Sequence, residues 1–365
     1  METNAVIQRF LDYVRIASPS QHEKNFKERL KQELLALGLE VYEDTAGEKL
    51  GSDSGNLHAR LEGTGKYTIL LSAHMDTVSP CNNVQPVIKD GIIYSDGTTV
   101  LGSDNKAAVA AIMEMLKIVV EQQRAHHTIE VLFTIFEESG LFGSKYGDYS
   151  KLHADFGIVM DTGGAVGSVT LQGPAKNRLN VVFHGKAAHA AKPEAGVSAI
   201  GIATSAISKM QLSRIDDETT ANIGSIRGGT ATNILADKVE MQAEIRSLNN
   251  EKLQRQTENM IRCIENAEAK HGLKADIEVE ELYRAFCLHE DAVPVRAVKS
   301  ACEKLGLSFQ IRKSAGGSDA NNFNAHGIPT VNIGIGMANC HGLDEHIAIK
   351  DIRDCTRLLL EIVSP

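Results

Sequence analysis

The chain has little that would carry it into a membrane, onto a nucleic acid or into an oxidising compartment. It has no run of about 18 consecutive apolar residues, so no helix is expected to span a bilayer. The amino-terminal METNAVIQRFLDYVRI lacks a basic start followed by a long apolar stretch. It reads as an amphipathic helix rather than a signal peptide, and a cytoplasmic protein is expected. Positive charge is in deficit: 38 Lys and Arg stand against 47 Asp and Glu, a net charge of −9. Such a surface repels phosphates and anionic lipids, so neither nucleic acid nor membrane is expected as a partner. The six cysteines, Cys81, Cys263, Cys287, Cys302, Cys340 and Cys355, contain no Cys-x-x-Cys pair and read as free thiols. Neither G-x-x-x-x-G-K-S/T nor a strand-linked G-x-G-x-x-G occurs, which disfavours a nucleotide enzyme. Internal repeats and low-complexity tracts are absent as well.

What the chain does have is ample core-forming material. Its 365 residues are 42% hydrophobic and 23% charged, the balance of an ordinary globular protein, and too long for a single core to be the default. Helical spacing predicts helices over 4–16 and 22–37, with Gly38 as a stop. Strands follow near 39–43 and 56–62. Three continuous apolar runs then read as strands buried on both faces: Tyr67 to Ala73, Glu130 to Phe136, and Gly157 to Met160. An Ala-rich helix, Lys106 to Val120, lies between the first two, after a turn-rich stretch at 79–103. This order implies an α/β fold with a mostly parallel sheet, in which ligands bind at the carboxyl ends of the strands. Residues 176–184, 222–227 and 238–247 instead alternate like half-exposed antiparallel strands, with helices near 196–210 and 249–270 and a strand near 275–283. The tail returns to the alternating helices and strands of the first part. It has a helix at 291–305, a strand near 308–311, a helix near 319–325, the strand Pro329 to Ile333 and a helix from about 350. A smaller α+β domain over 174–284 is therefore expected as an insertion into a body formed by 1–173 and 285–365.

The chemistry-bearing residues follow the apolar strands. His74 and Asp76 form a His-x-Asp pair after the first, and an Asp beside a metal-bound His fixes its ring and raises its basicity. Glu137 and Glu138 follow the second; strand alternation would turn one to a metal and the other to a water, unless both are solvated loop charges. Asp161 follows the third and is otherwise a turn residue. Asp104, in GSDNKAA, either caps a helix or bridges two cations. His341 and His346 lie in CHGLDEHI, after the Gly-rich GIGMANC; Cys340 is their neighbour. Imidazoles and carboxylates are the ligands catalytic zinc sites use.

The segments SAHMDTV, LGSDNKAA, FTIFEESG, VMDTGG, GKAAHA, GGTATNILAD, GGSDANNF and CHGLDEHI together resemble the M20 metallopeptidase family, in particular its peptidase T-like branch. The resemblance implies a zinc-hydrolase catalytic domain with an inserted lid and dimerisation domain. It implies two zinc ions, or cobalt or manganese in their place: His74 and Asp161 would hold one and Glu138 and His341 the other, with Asp104 between them. Glu137 would be the general base that activates a metal-bridging water, and Asp76 would steady His74. The family's His-x-x-x-Glu ending matches His341 and Glu345, which selects His341 over His346. In the inserted domain His189 would stabilise the oxyanion, in its own site or in a partner subunit's. Asn233 would contact substrate, and Arg246, with Arg284 as a second candidate, would grip a substrate carboxylate, unless Arg246 is only a strand-surface charge. A homodimer through the inserted domain is implied in turn.

The implied activity is an exopeptidase, an aminopeptidase acting on short peptides. Asp rather than Glu at position 161 leans that way. The short stretch between Asp76 and Asp104 argues against tripeptide specificity, because peptidase T proper carries a longer segment there. The alternatives are a carboxypeptidase or N-acyl amino acid amidohydrolase on the same di-zinc core, and a non-catalytic metal-binding homologue.

Overall fold

The computed structural model describes residues 2–365. The chain divides into two compact units, Pro174–Phe286 and the remainder, the latter built from the segments before and after it.

The larger unit has a mixed α/β architecture around a mostly parallel sheet. Its strand order is Glu40–Glu43, Leu57–Leu61, Thr128–Thr134, Thr68–His74, Phe156–Thr162, Thr330–Gly334, Ser168–Gly173, with Gln310–Lys313 on the last. The four strands from Thr128–Thr134 to Thr330–Gly334 are parallel, and those flanking them are antiparallel. The continuous apolar runs occupy this middle: every residue of Thr128–Thr134 is buried, and all but the first of Thr68–His74. Parallel strands covered on both faces leave no polar side to alternate with. Helices supply the cover. Phe26, Leu30 and Leu34 form a buried stripe at four-residue spacing on Lys24–Ala36. The Ala-rich helix Ser103–Glu121 is buried along most of its length, packed against Glu2–Val14, Ile349–Val363 and the sheet.

Register decides what meets at the sheet's carboxyl edge. His74 pairs with Thr134, and Ser72 pairs with Val159. Two residues further along, His74 is level with Asp161 on one side and with the segment leading to Glu137 on the other.

The smaller unit is an antiparallel sheet in the order Ser213–Arg214, Thr219–Gly228, Lys238–Ser247, Ala175–His184, Ala275–Tyr283. Burial alternates along Ala175–His184, and the inward residues Leu179, Val181 and Phe183 form a separate core with Met241, Ile245, Met260 and Ile264. The last two come from the helix Asn250–His271, which Asn249 caps by accepting from the N–H groups of Glu251 and Lys252.

Several elements differ from the sequence expectation. The turn-rich stretch 79–103 contains two short strands, Val87–Lys89 and Ile92–Tyr94, which form a small sheet with His346–Ala348. The strand Ser168–Gly173 and the helices Ala46–Leu50 and Phe142–Tyr146 were not expected; the helices are a single turn or so, too short for a periodic signal. All six cysteines are unpaired. Among the described residues no helix is long and apolar enough to cross a membrane.

Candidate metal centre

Three neighbouring strand ends and two loops bring six acidic or imidazole groups together. His74, buried at the end of its strand, approaches Asp104 Oδ1 with Nε2 at 3.0 Å and Asp161 Oδ1 at 3.6 Å. His341 Nε2 lies 3.0 Å from Glu138 Oε2 and 3.4 Å from Asp104 Oδ2. Asp104 thus turns one carboxylate oxygen to each histidine. Ligand atoms of His74, Asp104 and Glu138 fall within 4.8 Å of one another, and so do those of His74, Glu137 and Asp161.

Asp104 is not a helix cap. The helix begins at Ser103, but Asp104 and Asn105 depart from helical dihedrals, and both Asp104 oxygens face imidazoles. Gly102 makes this turn possible: its φ is +76°, and a Cβ there would also meet the Thr77 methyl at 3.2 Å. Glu345 then clamps the turn. Its carboxylate is 1% exposed and accepts from Gly102 N (2.8 Å), Ser103 Oγ (2.6 Å) and Asp104 N (3.0 Å). The segment His341–Glu345 therefore supplies both a candidate ligand and the support of another. His346 is turned elsewhere, its ring stacked on Tyr94 and its Nδ1 on the Asp344 carbonyl.

His74 Nδ1 sits 2.8 Å from the Asp76 main-chain oxygen and 3.4 Å from its carboxylate. An acceptor at Nδ1 favours a proton there and leaves Nε2 as the ligand atom. The Asp76 carboxylate is itself occupied, accepting the N–H groups of Glu137 (3.0 Å) and Glu138 (3.3 Å). Strand alternation does not separate these two glutamates, because the strand stops at Thr134 and Phe136 has φ +50°. They lie in a turn, and both face the site: Glu137 with His74 and Asp161, Glu138 with His341.

The electrostatics call for cations. Four carboxylates, Asp104, Glu137, Glu138 and Asp161, stand against two imidazoles. Burial pushes Asp161 up to about 7, helped by the charge of Asp104. Burial and the charge of Asp161 push Glu137 well above the usual carboxylate range, and burial raises Glu138. Asp104 moves the other way despite its burial, because it bonds to both His341 and His74. Hydrogen bonds to Asp104 and Glu138 push His341 up to about 10, and those to Asp104, Asp161 and Asp76 raise His74 against the effect of its burial. Glu138 Oε1 is buried with no hydrogen-bond partner among the described residues, which is an oxygen placed for a cation. Nitrogen and carboxylate oxygen donors with no thiolate fit zinc, cobalt or manganese. Cys340 stays a thiol: burial and the charges of Asp104, Glu345 and Asp161 push its pKa up.

Two residues at this site had no assigned role from the sequence. Glu345 is one. Asp319, in GGSDANNF, is the other: fully buried, it accepts from Thr134 Oγ1 and Ser144 Oγ and adds negative charge near Glu137 and Asp161.

The remaining candidates lie in the smaller unit, at opposite ends of it. His189 and Asn233 are neighbours, since the pairing of His184 with Lys238 continues outward through Gly185 with Asp237 and Ala188 with Leu235 to His189 with Ile234. Both are exposed, and His189 Nδ1 accepts from Ala191 N at 3.1 Å. Arg246 pairs with Lys176 at the other end of the same strand and bonds Glu244 at 2.9 Å. The eight residue steps from Lys238 to Arg246 span about 27 Å at the strand rise of roughly 3.4 Å. Arg284 is two-thirds exposed and bonds Glu281.

Residues 70–364 match the model of peptidase family M20/M25/M40. A tripeptidase of Staphylococcus aureus is 39% identical and superposes with a TM-score of 0.94, covering 99% of this chain and 97% of its own. The aminopeptidase PepT of Bacillus cereus is 40% identical, with a TM-score of 0.91 and 99% and 98% covered. An uncharacterized Bacillus subtilis protein is 41% identical over 360 residues, 98% of this chain and 97% of its own.

Proposed function

The chain belongs to the M20 peptidases, and from that premise we propose that it is a two-metal exopeptidase removing amino-terminal residues from short peptides. The observation that supports two metals rather than one is the placement of Asp104, one oxygen toward His74 and the other toward His341. His74 and Asp161 would hold one ion, Glu138 and His341 the other, and Asp104 both. Zinc suits this donor set, and cobalt or manganese could replace it.

When bound, the metals would acidify a water and polarise the scissile carbonyl. The rest falls to the chain. Glu137 is the base: it takes a proton from the attacking water and returns it to the leaving amine. Glu137 is buried beside His74 and Asp161, where it can reach a water held between the ligands. Asp76 fixes the backbone of Glu137 and the ring of His74 together. His189 donates to the oxyanion, Asn233 contacts substrate beside it, and Arg246 binds a substrate carboxylate in a two-pronged grip. Arg284 is the weaker candidate for that grip, because it is more exposed.

An extended tripeptide is only about 10 Å long. It cannot touch His189 and Arg246 of one chain, which lie more than twice that far apart along a strand. If both bind one substrate, one of them would come from a second copy, and a homodimer through the inserted unit would supply it. The tripeptidase of Staphylococcus aureus aligns over 97% of its own chain with this one, so the short stretch between Asp76 and Asp104 does not by itself exclude tripeptides.

Free tripeptides, dipeptides and N-acyl amino acids, each assayed with and without a chelator, test the proposal. Cleavage of the free peptides with release of the amino-terminal residue, abolished by chelator, is expected. Cleavage of N-acyl amino acids alone would favour the carboxypeptidase or amidohydrolase reading. No cleavage by zinc- or cobalt-loaded protein would favour a non-catalytic homologue.

A further inference from the structure

The four N–H groups after the strand Thr128–Thr134 are each captured by a side chain distant in sequence. Ile135 donates to Asn56 Oδ1 at 3.0 Å, Phe136 to Glu23 Oε1 at 3.0 Å, Glu137 to Asp76 Oδ1 at 3.0 Å and Glu138 to Asp76 Oδ2 at 3.3 Å. The path of this turn is not one that local preference would choose, since Phe136 is an aromatic residue at φ +50°. Side chains from elsewhere must hold it there.

One segment, Ser18–Glu23, governs two of these three acceptors. It runs beside Met75–Thr77. Ser18 Oγ donates to the Met75 carbonyl at 2.8 Å, Thr77 N donates to the Ser18 carbonyl at 2.9 Å, and Pro19 pairs with Thr77. Ser20 Oγ then donates to Asp76 Oδ2 at 2.6 Å. Glu23 is 0% exposed and gathers Gln21 N (3.0 Å), Ser52 Oγ (3.1 Å) and Phe136 N. A glutamate buried at the start of a surface helix would be expensive without such donors.

We propose that Ser18–Glu23 is a strap that positions the base: Ser20 acting through Asp76, and Glu23 acting through Phe136, fix where the Glu137 carboxyl sits. Ser20 bonds Asp76 and Glu23 bonds the Phe136 N–H, so each acts through another residue and both are positioning residues. The proposal rests on the reading of Glu137 as the base. A displacement of about 1 Å at a reacting group is enough to lower turnover by as much as 100-fold.

The test uses the full chain with Ser20→Ala, Glu23→Ala and Glu23→Gln. Gln keeps an oxygen for Phe136 N–H and discards the charge. In the metal-free protein, amide hydrogen exchange at Phe136 should quicken roughly 10- to 100-fold in Glu23→Ala, which loses its charged acceptor, and exchange at Glu137 and Glu138 should quicken in Ser20→Ala, which frees the Asp76 carboxylate that holds them. Core strand amides should be unaffected, and Glu23→Gln should restore protection. In the zinc-loaded protein with a free tripeptide, the two alanine variants should lose kcat by tenfold or more, with KM and zinc content kept. Unchanged exchange at 136–138, a Glu23→Gln variant as impaired as Glu23→Ala, or activity recovered by excess zinc would each overturn the proposal. If Glu23→Ala does not fold, Ser20→Ala and Glu23→Gln decide it. If the wild-type chain cleaves no peptide, the function proposed above fails and hydrogen exchange alone still judges the strap.

Discussion

Replacing Glu345 by Gln should weaken metal binding about 100-fold without removing any ligand. One oxygen of the Glu345 carboxylate accepts from Ser103 Oγ and Asp104 N, the other from Gly102 N. Gln keeps a single oxygen, which can satisfy the first pair. Its amide NH2 then faces the Gly102 N–H, donor against donor. The loss of a hydrogen bond to a charged acceptor costs about 1.5–3 kcal/mol, and an unsatisfied buried donor adds about 1 kcal/mol or more. The carboxylate is 1% exposed, so water cannot readily replace it. Some 3 kcal/mol is therefore withdrawn from the conformation that aims Asp104 at both histidines. At 1.4 kcal/mol per decade this is about 100-fold in affinity, the upper end of what supporting residues around metal ligands contribute. Glu345→Ala, which strands three donors, should be worse. Competition between the protein and a chromogenic chelator for zinc measures it. A Glu345→Gln affinity within twofold of wild type would show that the turn holds Asp104 without the clamp.

Three further outcomes are expected. Glu137→Gln should keep its metal content and lose roughly 10²- to 10⁴-fold in kcat, the range for a missing general base; near-normal turnover with full zinc would remove Glu137 from that role. Zinc binding should release protons. In the metal-free protein His341, raised to about 10, and His74, raised well above its ordinary range by its carboxylate partners, must each give up a proton to become a ligand, while Asp161, raised to about 7, adds another at lower pH. Zinc affinity should thus fall as pH drops, and titration calorimetry in buffers of different ionisation enthalpy should report at least one proton released at pH 8; none would contradict the charge assignment. Mixing inactive Glu137→Gln and His189→Ala chains should restore activity if His189 serves a partner's site, because one site of the mixed dimer has both groups intact. No recovery after subunit exchange would place His189 elsewhere.

The continuous apolar runs of the central strands and the groups following them were readable because a parallel sheet buries both faces and ends its strands together. His74 and Asp161 lie where that pattern put them, level across paired strands. Ser168–Gly173 was not readable: it follows a Gly-Gly turn and, as SVTLQG, is neither continuously apolar nor long. The residues just before Glu137 and Glu138 read as strand because EVLFTIF stays apolar beyond Thr134; what ends the strand is the set of side-chain acceptors for the next four N–H groups. Those acceptors, Asn56, Glu23 and Asp76, are 61 to 113 residues away, and Glu345 reaches across 241 residues to Asp104. No local periodicity encodes such contacts. A buried Glu in a polar stretch looks like a surface residue until the fold closes over it.

The central claim is that Asp104 stands between two cations. Anomalous scattering at the zinc edge from zinc-loaded crystals tests it most directly. Two peaks are predicted, one within about 2.2 Å of His74 Nε2 and an Asp161 oxygen, the other within about 2.2 Å of His341 Nε2 and a Glu138 oxygen, each touching a different oxygen of Asp104. A single peak, or peaks that leave Asp104 uncoordinated, would contradict the account.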